Sequence, residues 1–255
     1  MIMQKLIETL NPEVNLDGKT ILVTGSSGGI GRAVTLACAD AGATVILSGR
    51  NLSALNEIYD LILSKGNPEP AIVELDLAKA SEVEFKNLCS IVKSTIGSLH
   101  GIVHCATHIT ELGPTHRLGL DSWEQLFRVN VIAPALMIKN CESLFSEADC
   151  GSVVLTSDNH ALTLDPYWGG YAISKSALNA YAKLQSQEWH GEKPYRINLI
   201  TPGPINSPLR SRTHPGEERD KLPSIDSILP TYLYLLSDSS HHINGENFSQ
   251  SPLMI

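Results

Sequence analysis

The sequence predicts an α/β fold in which a parallel sheet is covered by helices on both faces, and three observations carry that prediction. Short apolar runs alternate along the chain with longer segments of helical period, the pattern of strands buried on both sides and joined by crossover helices. The first run leads directly into a glycine-rich turn that opens a helix, the context in which a βαβ unit holds phosphate. No linker, repeat or low-complexity stretch divides the 255 residues, so one domain over 1–255 is expected.

Taken in order, residues 1–18 read as an arm, with Leu6, Ile7, Leu10 and Val14 at helical intervals and a turn at Asp17-Gly18. Strands are expected at 20–24, 44–48, 71–75, 101–104, 151–157, 195–200 and 247–251. Helices are expected from Arg32 to Ala41, Asn51 to about Ser64 and Ser81 to Ile96, the last opened by a Ser81/Glu84 capping box. Asp121 with Glu124 opens a further helix in the same way, which carries Asn130 to about Ser146. Another runs from Trp168 to about His190, and the last from Ser227 to Leu236. Residues 202–226 hold five prolines and no clear period. They are either a substrate loop at a strand's carboxyl end or a plain surface connection.

Composition excludes several classes of partner. An apolar fraction of 42%, a charged fraction of 18% and a net charge of -8 speak against nucleic acid and anionic membrane surfaces. The five cysteines form no C-x-x-C pair and have no histidine at metal-ligand spacing, so no metal is expected and the thiols read as buried residues of a reducing compartment. Without an apolar run of about 20 residues or a secretory leader, a cytoplasmic location is expected.

The chemistry is concentrated in two places. Glycines at Gly25-Ser26-Ser27-Gly28-Gly29-Ile30-Gly31 let backbone approach a pyrophosphate, whose charge is met by amide N–H groups and the helix dipole. After the second strand comes Ser48-Gly49-Arg50, with no carboxylate to accept from a ribose 2′-hydroxyl. Arg50 is instead suited to a 2′-phosphate, which favours NADP over NAD, unless it is simply solvated. The second place is Tyr171-Ala172-Ile173-Ser174-Lys175, where helical spacing makes Tyr171 and Lys175 neighbours. An ammonium beside a phenol favours the phenolate, so the pair is a candidate acid/base unit.

With Thr24-Gly25-x-x-x-Gly29-Ile30-Gly31, Asp76-Leu77, Asn130, Tyr171-x-x-x-Lys175 and Pro202-Gly203, the chain resembles the short-chain dehydrogenase/reductase family over nearly its whole length. The stretches VILSGRN, GSVVLTS and LPTYLYLLSD look like its bacterial YciK-type oxidoreductases. The resemblance implies a Rossmann-type doubly wound sheet of about seven strands and hydride transfer between NADP(H) and a small carbonyl or alcohol. It gives Tyr171 the proton exchange, Lys175 the nicotinamide ribose and a lowering of the tyrosine pKa, and Asn130 a water linking Lys175 to solvent. It places Gly25, Ser27, Ile30 and Gly31 on the pyrophosphate, Asp76 and Leu77 on the adenine, Ala106 in the cofactor wall, and Pro202, Ile205 and Ser207 at the nicotinamide end. It also implies a homodimer or homotetramer through the 121–146 and 168–190 helices.

Two departures stand against it. Where the family usually has a serine, 13 residues before the tyrosine, stands Asp158, and an ionised carboxylate opposes the negative charge that develops on a carbonyl oxygen. Either Asp158 is protonated, or Ser157 takes the role through a local shift, or catalysis is weak. His104-Cys105-Ala106-Thr107 replaces the family's Asn-Asn-Ala-Gly. A second reading, an NADP-binding interaction module without efficient turnover, follows from these departures.

Overall fold

Each apolar run of the sequence becomes a strand of one sheet in the computed structural model, which describes residues 14–249. The strands are β1 (Thr20–Thr24), β2 (Thr44–Gly49), β3 (Ala71–Glu74), β4 (Gly101–His104), β5 (Gly151–Thr156), β6 (Tyr195–Thr201) and β7 (Asn247–Ser249). They are ordered β3-β2-β1-β4-β5-β6-β7, every neighbouring pair parallel. The helices are α1 (Gly29–Asp40), α2 (Leu52–Ser64), α3 (Glu82–Thr95), α4 (Leu120–Phe127), α5 (Ala133–Glu147), α6 (His160–Thr163), α7 (Gly169–Trp189), α8 (Pro208–Thr213) and α9 (Leu229–Leu236). No described helix is long and apolar enough to cross a membrane.

Strand alternation divides the core in two, because successive side chains point to opposite faces. Leu22, Ile46, Ile102 and Val153 face Phe85 of α3, Met137 and Phe145 of α5 and Leu178 of α7. Their neighbours Ile21, Val45, Val103 and Val154 face Val34 of α1, Ile58 of α2 and Tyr232 of α9. Burial of each such side chain contributes roughly 1.5–3 kcal/mol. The order in which strands are added reverses between β1 and β4, β1 to β3 running to one edge and β4 to β7 to the other, and the crevice outside their carboxyl ends is where such sheets bind ligands.

Of the two capping boxes read from the sequence, one forms. Glu84 Oε2 accepts from the Ser81 N–H at 2.7 Å while the Ser81 hydroxyl accepts from Val83 N. The Asp121/Glu124 box does not form. The helix already begins at Leu120 after Gly119, whose carbonyl accepts from Trp123 N, so Asp121 lies inside the first turn and caps nothing. Nor does that helix run unbroken to Ser146. It widens to a π-turn at Arg128–Ile132 before α5 resumes. The helical pattern assigned to Leu6, Ile7 and Leu10 lies outside the described residues. Leu16, just beyond it, is fully buried and bonds Ala41 O through its N–H.

The 202–226 segment is more ordered than its sequence pattern. Ser207 caps α8 by accepting from Arg210 N, Pro208 occupies the first turn, and an Arg210–Glu217 ion pair at 2.6 Å closes the following loop. Six residues are too few for an amphipathic period to register.

Candidate active site

The glycine loop is shaped by close approaches that no side chain would permit. Gly25 has φ +69°, and a Cβ there would stand 2.9 Å from Ala106 backbone. A Cβ on Gly31 would stand 2.1 Å from Gly25 O, and one on Gly29 2.6 Å from Pro208 Cδ. Ser26 pins the loop to β2, donating to Val23 O at 2.6 Å and accepting from Ser48 N at 3.1 Å. The amino end of α1 carries no side-chain cap, so its N–H groups are free to meet an anion.

These residues wall a cavity of about 400 Å³. Gly25, Ser27, Ile30, Gly31, Arg50, Asp76, Leu77, Ala106 and Ser207 all line it. Asp76 is held in place by accepting from Ala78 N at 3.1 Å. This glycine-made cradle, with an uncapped helix end and an arginine in its lining, fits a phosphorylated dinucleotide. A second cavity of about 90 Å³ adjoins it, lined by Tyr171, Lys175, Asp158, Ser157, Pro202 and Ile205. Ile30, Thr107 and Ser207 line both.

Tyr171 and Lys175 lie on one face of α7, both nearly fully buried. The ammonium donates to Thr156 O at 2.8 Å and stands 5.9 Å from the tyrosine ring centre. Burial lowers the Lys175 pKa to about 8, against the charges of Asp158 and Cys105. The expected lowering of the tyrosine pKa by this lysine is not what the geometry gives. Burial, the Asp158 charge and the bond to that carboxylate lift Tyr171 well above the usual phenol value, with Thr107 acting the other way. The group next to the hydroxyl is an anion.

That anion is Asp158. Its Oδ2 accepts from Tyr171 Oη at 3.0 Å, and its Oδ1 accepts from His160 N at 2.9 Å and lies 2.6 Å from His160 Nδ1. Burial opposes its charge, yet the side-chain and backbone bonds of His160 and the charges of His160 and Lys175 hold the carboxyl below its ordinary range. A protonated Asp158 is therefore not what these contacts favour. Ser157, which lines the same cavity, has its hydroxyl engaged elsewhere, donating to Asn179 Oδ1 on α7 at 2.5 Å. Neighbours on an extended strand end point apart, and these two bond different partners.

Asn130 sits in the π-turn with its amide fully engaged. Oδ1 accepts from His108 N at 2.8 Å and Thr107 Oγ1 at 3.2 Å, while Nδ2 donates to His108 O and Ser174 Oγ, both at 2.9 Å. All four bonding positions of the amide are filled, so this side chain braces the 107–108 wall and has no position left for a water. Thr107, where the resembled family has glycine, has no positive φ. His104 is fully buried against Thr24 Oγ1 at 2.9 Å, with a pKa pushed down to about 3 by burial and the charge of Lys175. It packs as a neutral residue. Burial likewise raises the Cys105 thiol to about 11, which keeps it from acting as a nucleophile.

Three residues of the site escaped the sequence reading. His160 had a usable signal, since an Asp side chain often accepts from the N–H two residues on. Trp168, stacked on His160 with ring centres 3.4 Å apart, had none. Arg212 had none either, being one of several arginines set among acids in 202–226. Arg210 pairs with Glu217 and Lys221 with Glu218, whereas Arg212 makes no ion pair among the described residues and lines the larger cavity.

Comparison with known proteins places this arrangement. Residues 19–218 match the family model described as short chain dehydrogenase. The uncharacterized oxidoreductase YciK of Escherichia coli K12 is 31% identical over 237 residues, 93% of each chain. A short chain dehydrogenase from Escherichia coli CFT073 complexed with NADPH superposes with a TM-score of 0.90 at 30% identity, over 94% of this chain and all of that one. A short chain dehydrogenase from Shigella flexneri 2a complexed with NADP gives the same score, identity and coverage. The chain belongs to the short-chain dehydrogenase family.

Proposed function

We propose that the protein is an NADP(H)-dependent oxidoreductase that moves a hydride between the nicotinamide and a small substrate of the carbonyl/alcohol type. The observation that carries the reading is adjacency. Ile30, Thr107 and Ser207 line both cavities, so the glycine-lined groove lies directly beside the cavity of Tyr171 and Lys175. The two relatives complexed with NADPH and NADP support the choice of cofactor, as does Arg50 in the lining of the groove.

In this reading the bound cofactor supplies or accepts the hydride, and the chain does the rest. Gly25, Ser27, Ile30 and Gly31 hold the pyrophosphate, Asp76 and Leu77 the adenine, and Pro202, Ile205 and Ser207 the nicotinamide end. Lys175 holds the ribose and Tyr171 exchanges a proton with the substrate heteroatom. Asn130 acts by fixing Thr107 and His108 in the wall. The protein works in the cytoplasm, as a homodimer or homotetramer.

The Tyr171–Asp158 bond favours a second reading, an NADP-binding module with little turnover, because the proton donor faces an acceptor that is not substrate. NADPH oxidation against aldehydes, ketones and quinones, beside Tyr171→Phe, separates the two. Turnover lost in the variant supports the enzyme. NADPH binding without turnover of any substrate supports the module.

A further inference from the structure

We propose that the reducible bond this site prefers is a protonated carbon–nitrogen double bond, the iminium counterpart of a carbonyl, with Asp158 as the group that binds its N–H. The inference rests on the reading of Tyr171 and the adjoining groove as a hydride-transfer site, and narrows the substrate class within it.

The argument starts from reach. A substrate heteroatom in contact with Tyr171 Oη lies beside Asp158, because the two side chains are themselves 3.0 Å apart. Reducing a carbonyl there places growing negative charge on oxygen next to a carboxylate, where a hydrogen-bond donor is needed. It also requires Tyr171 to release its proton and remain as a phenolate against Asp158, two anions in contact. Both penalties vanish for an iminium. Its nitrogen arrives with a proton and a positive charge, which a carboxylate binds through a charge-assisted hydrogen bond. The electron count closes without Tyr171: the hydride forms the new C–H bond, the C=N π pair moves onto nitrogen, and a neutral amine and oxidised NADP result.

The surroundings support a cationic ligand. His160 fixes Oδ1 through two contacts, while Oδ2 is shared with Tyr171, and both Asp158 and Tyr171 line the cavity. Trp168 stacks on His160 and lies 5.8 Å from the Tyr171 ring and 5.7 Å from His214, so aromatic faces gather beside the carboxylate, an environment that attracts cations. Of the cations nearby, Arg210 is paired with Glu217, while Lys175 and His160 lie close enough for their charges to act on Asp158, so a cationic ligand shares the carboxylate with them.

The test uses the NADPH complex of the full chain. Binding of pyrrolidine, protonated at neutral pH, and of cyclopentanol is measured by calorimetry for the wild type and for Asp158→Asn, which keeps the side chain's size, removes its charge and replaces one acceptor oxygen with an N–H donor. In parallel, reduction of 2-methyl-1-pyrroline and of cyclopentanone is followed for both. The inference expects the wild type to bind the ammonium at least tenfold more tightly than the alcohol, and Asp158→Asn to lose that preference while keeping its NADPH affinity. Where turnover is seen, the imine-to-ketone rate ratio falls at least tenfold in the variant. Ammonium binding no tighter than alcohol binding, or unchanged in Asp158→Asn, overturns it whatever the turnover. An unbound NADPH overturns the parent reading as well, and that outcome is separately visible.

Discussion

The Tyr171 hydroxyl gives its hydrogen bond to Asp158 Oδ2, 3.0 Å away, and this contact sets the protonation state of the site. After burial, the carboxylate's charge and its bond are what raise the phenol pKa. Asp158→Asn is expected to bring Tyr171 down toward the ordinary phenol value of about 10. Ultraviolet difference titration against the Asp158→Asn/Tyr171→Phe double variant isolates this tyrosine. An onset of ionisation no lower than in the wild type would show that burial alone controls it.

Lys175 gives a stability signature. Burial lowers its folded pKa to about 8, below the unfolded value of about 10.4. Between those two values the unfolded chain binds more protons than the folded one, so this group makes stability rise with pH across the window. The cost of keeping it charged below the window is about 3 kcal/mol. Lys175→Met, neutral at every pH, is expected to lack the rise. Urea midpoints at pH 7 and pH 10 for both proteins measure it, and equal increments would refute the assignment.

Arg50 and Arg212 line the same cavity, and after burial their charges are what lower the pKa of His108. Neither cation makes an ion pair among the described residues, and two such cations lining one cavity suit an anion. Arg50→Ala should weaken NADPH about ten- to a hundredfold and NADH hardly at all. Arg212→Ala is expected to weaken NADPH by about tenfold. If NADH weakens equally, Arg212 meets the pyrophosphate; if only NADPH weakens, it meets the 2′-phosphate. Fluorescence titration distinguishes these, and no change in either refutes its role.

The proposed association would use apolar side chains exposed on the surface. Ile173 and Leu184 of α7 are 42% and 56% exposed, and Leu120 and Ile132, at the start of α4 and in the π-turn, are 71% and 47% exposed. Light scattering should give a multiple of 27.6 kDa, and Ile173→Glu with Leu184→Glu should return it to the single-chain mass. A wild-type mass of one chain ends the idea.

What could be read in advance was whatever local chemistry decides. β4 starts and stops where its apolar run does, Ser81 and Glu84 close their box, and four-residue spacing puts Tyr171 and Lys175 on one face. What could not be read depends on partners far away in sequence. Asn130 was a residue on a helix until Thr107, His108 and Ser174 were seen to fill its amide. Ser157 and Asp158 are adjacent in the chain and both line the smaller cavity, and only Asn179 and Tyr171 tell which one bonds the tyrosine. Arg212 is distinguished from Arg210 solely by the absence of a counterpart to Glu217.

The π-turn at Arg128–Ile132 also says something about insertion and deletion. A π-turn is one residue more than a regular helix needs to span the same rise, and its loss can be absorbed locally as an ordinary turn. α4 and α5 would then keep their positions, and the core formed by Met137, Cys141 and Phe145 would survive. Asn130 would not keep its place, and the amide that ties His108 to Ser174 would be withdrawn. The supernumerary residue is thus dispensable to the helix and indispensable to the wall of the groove, so a single-residue deletion here should yield a folded chain with its site dismantled.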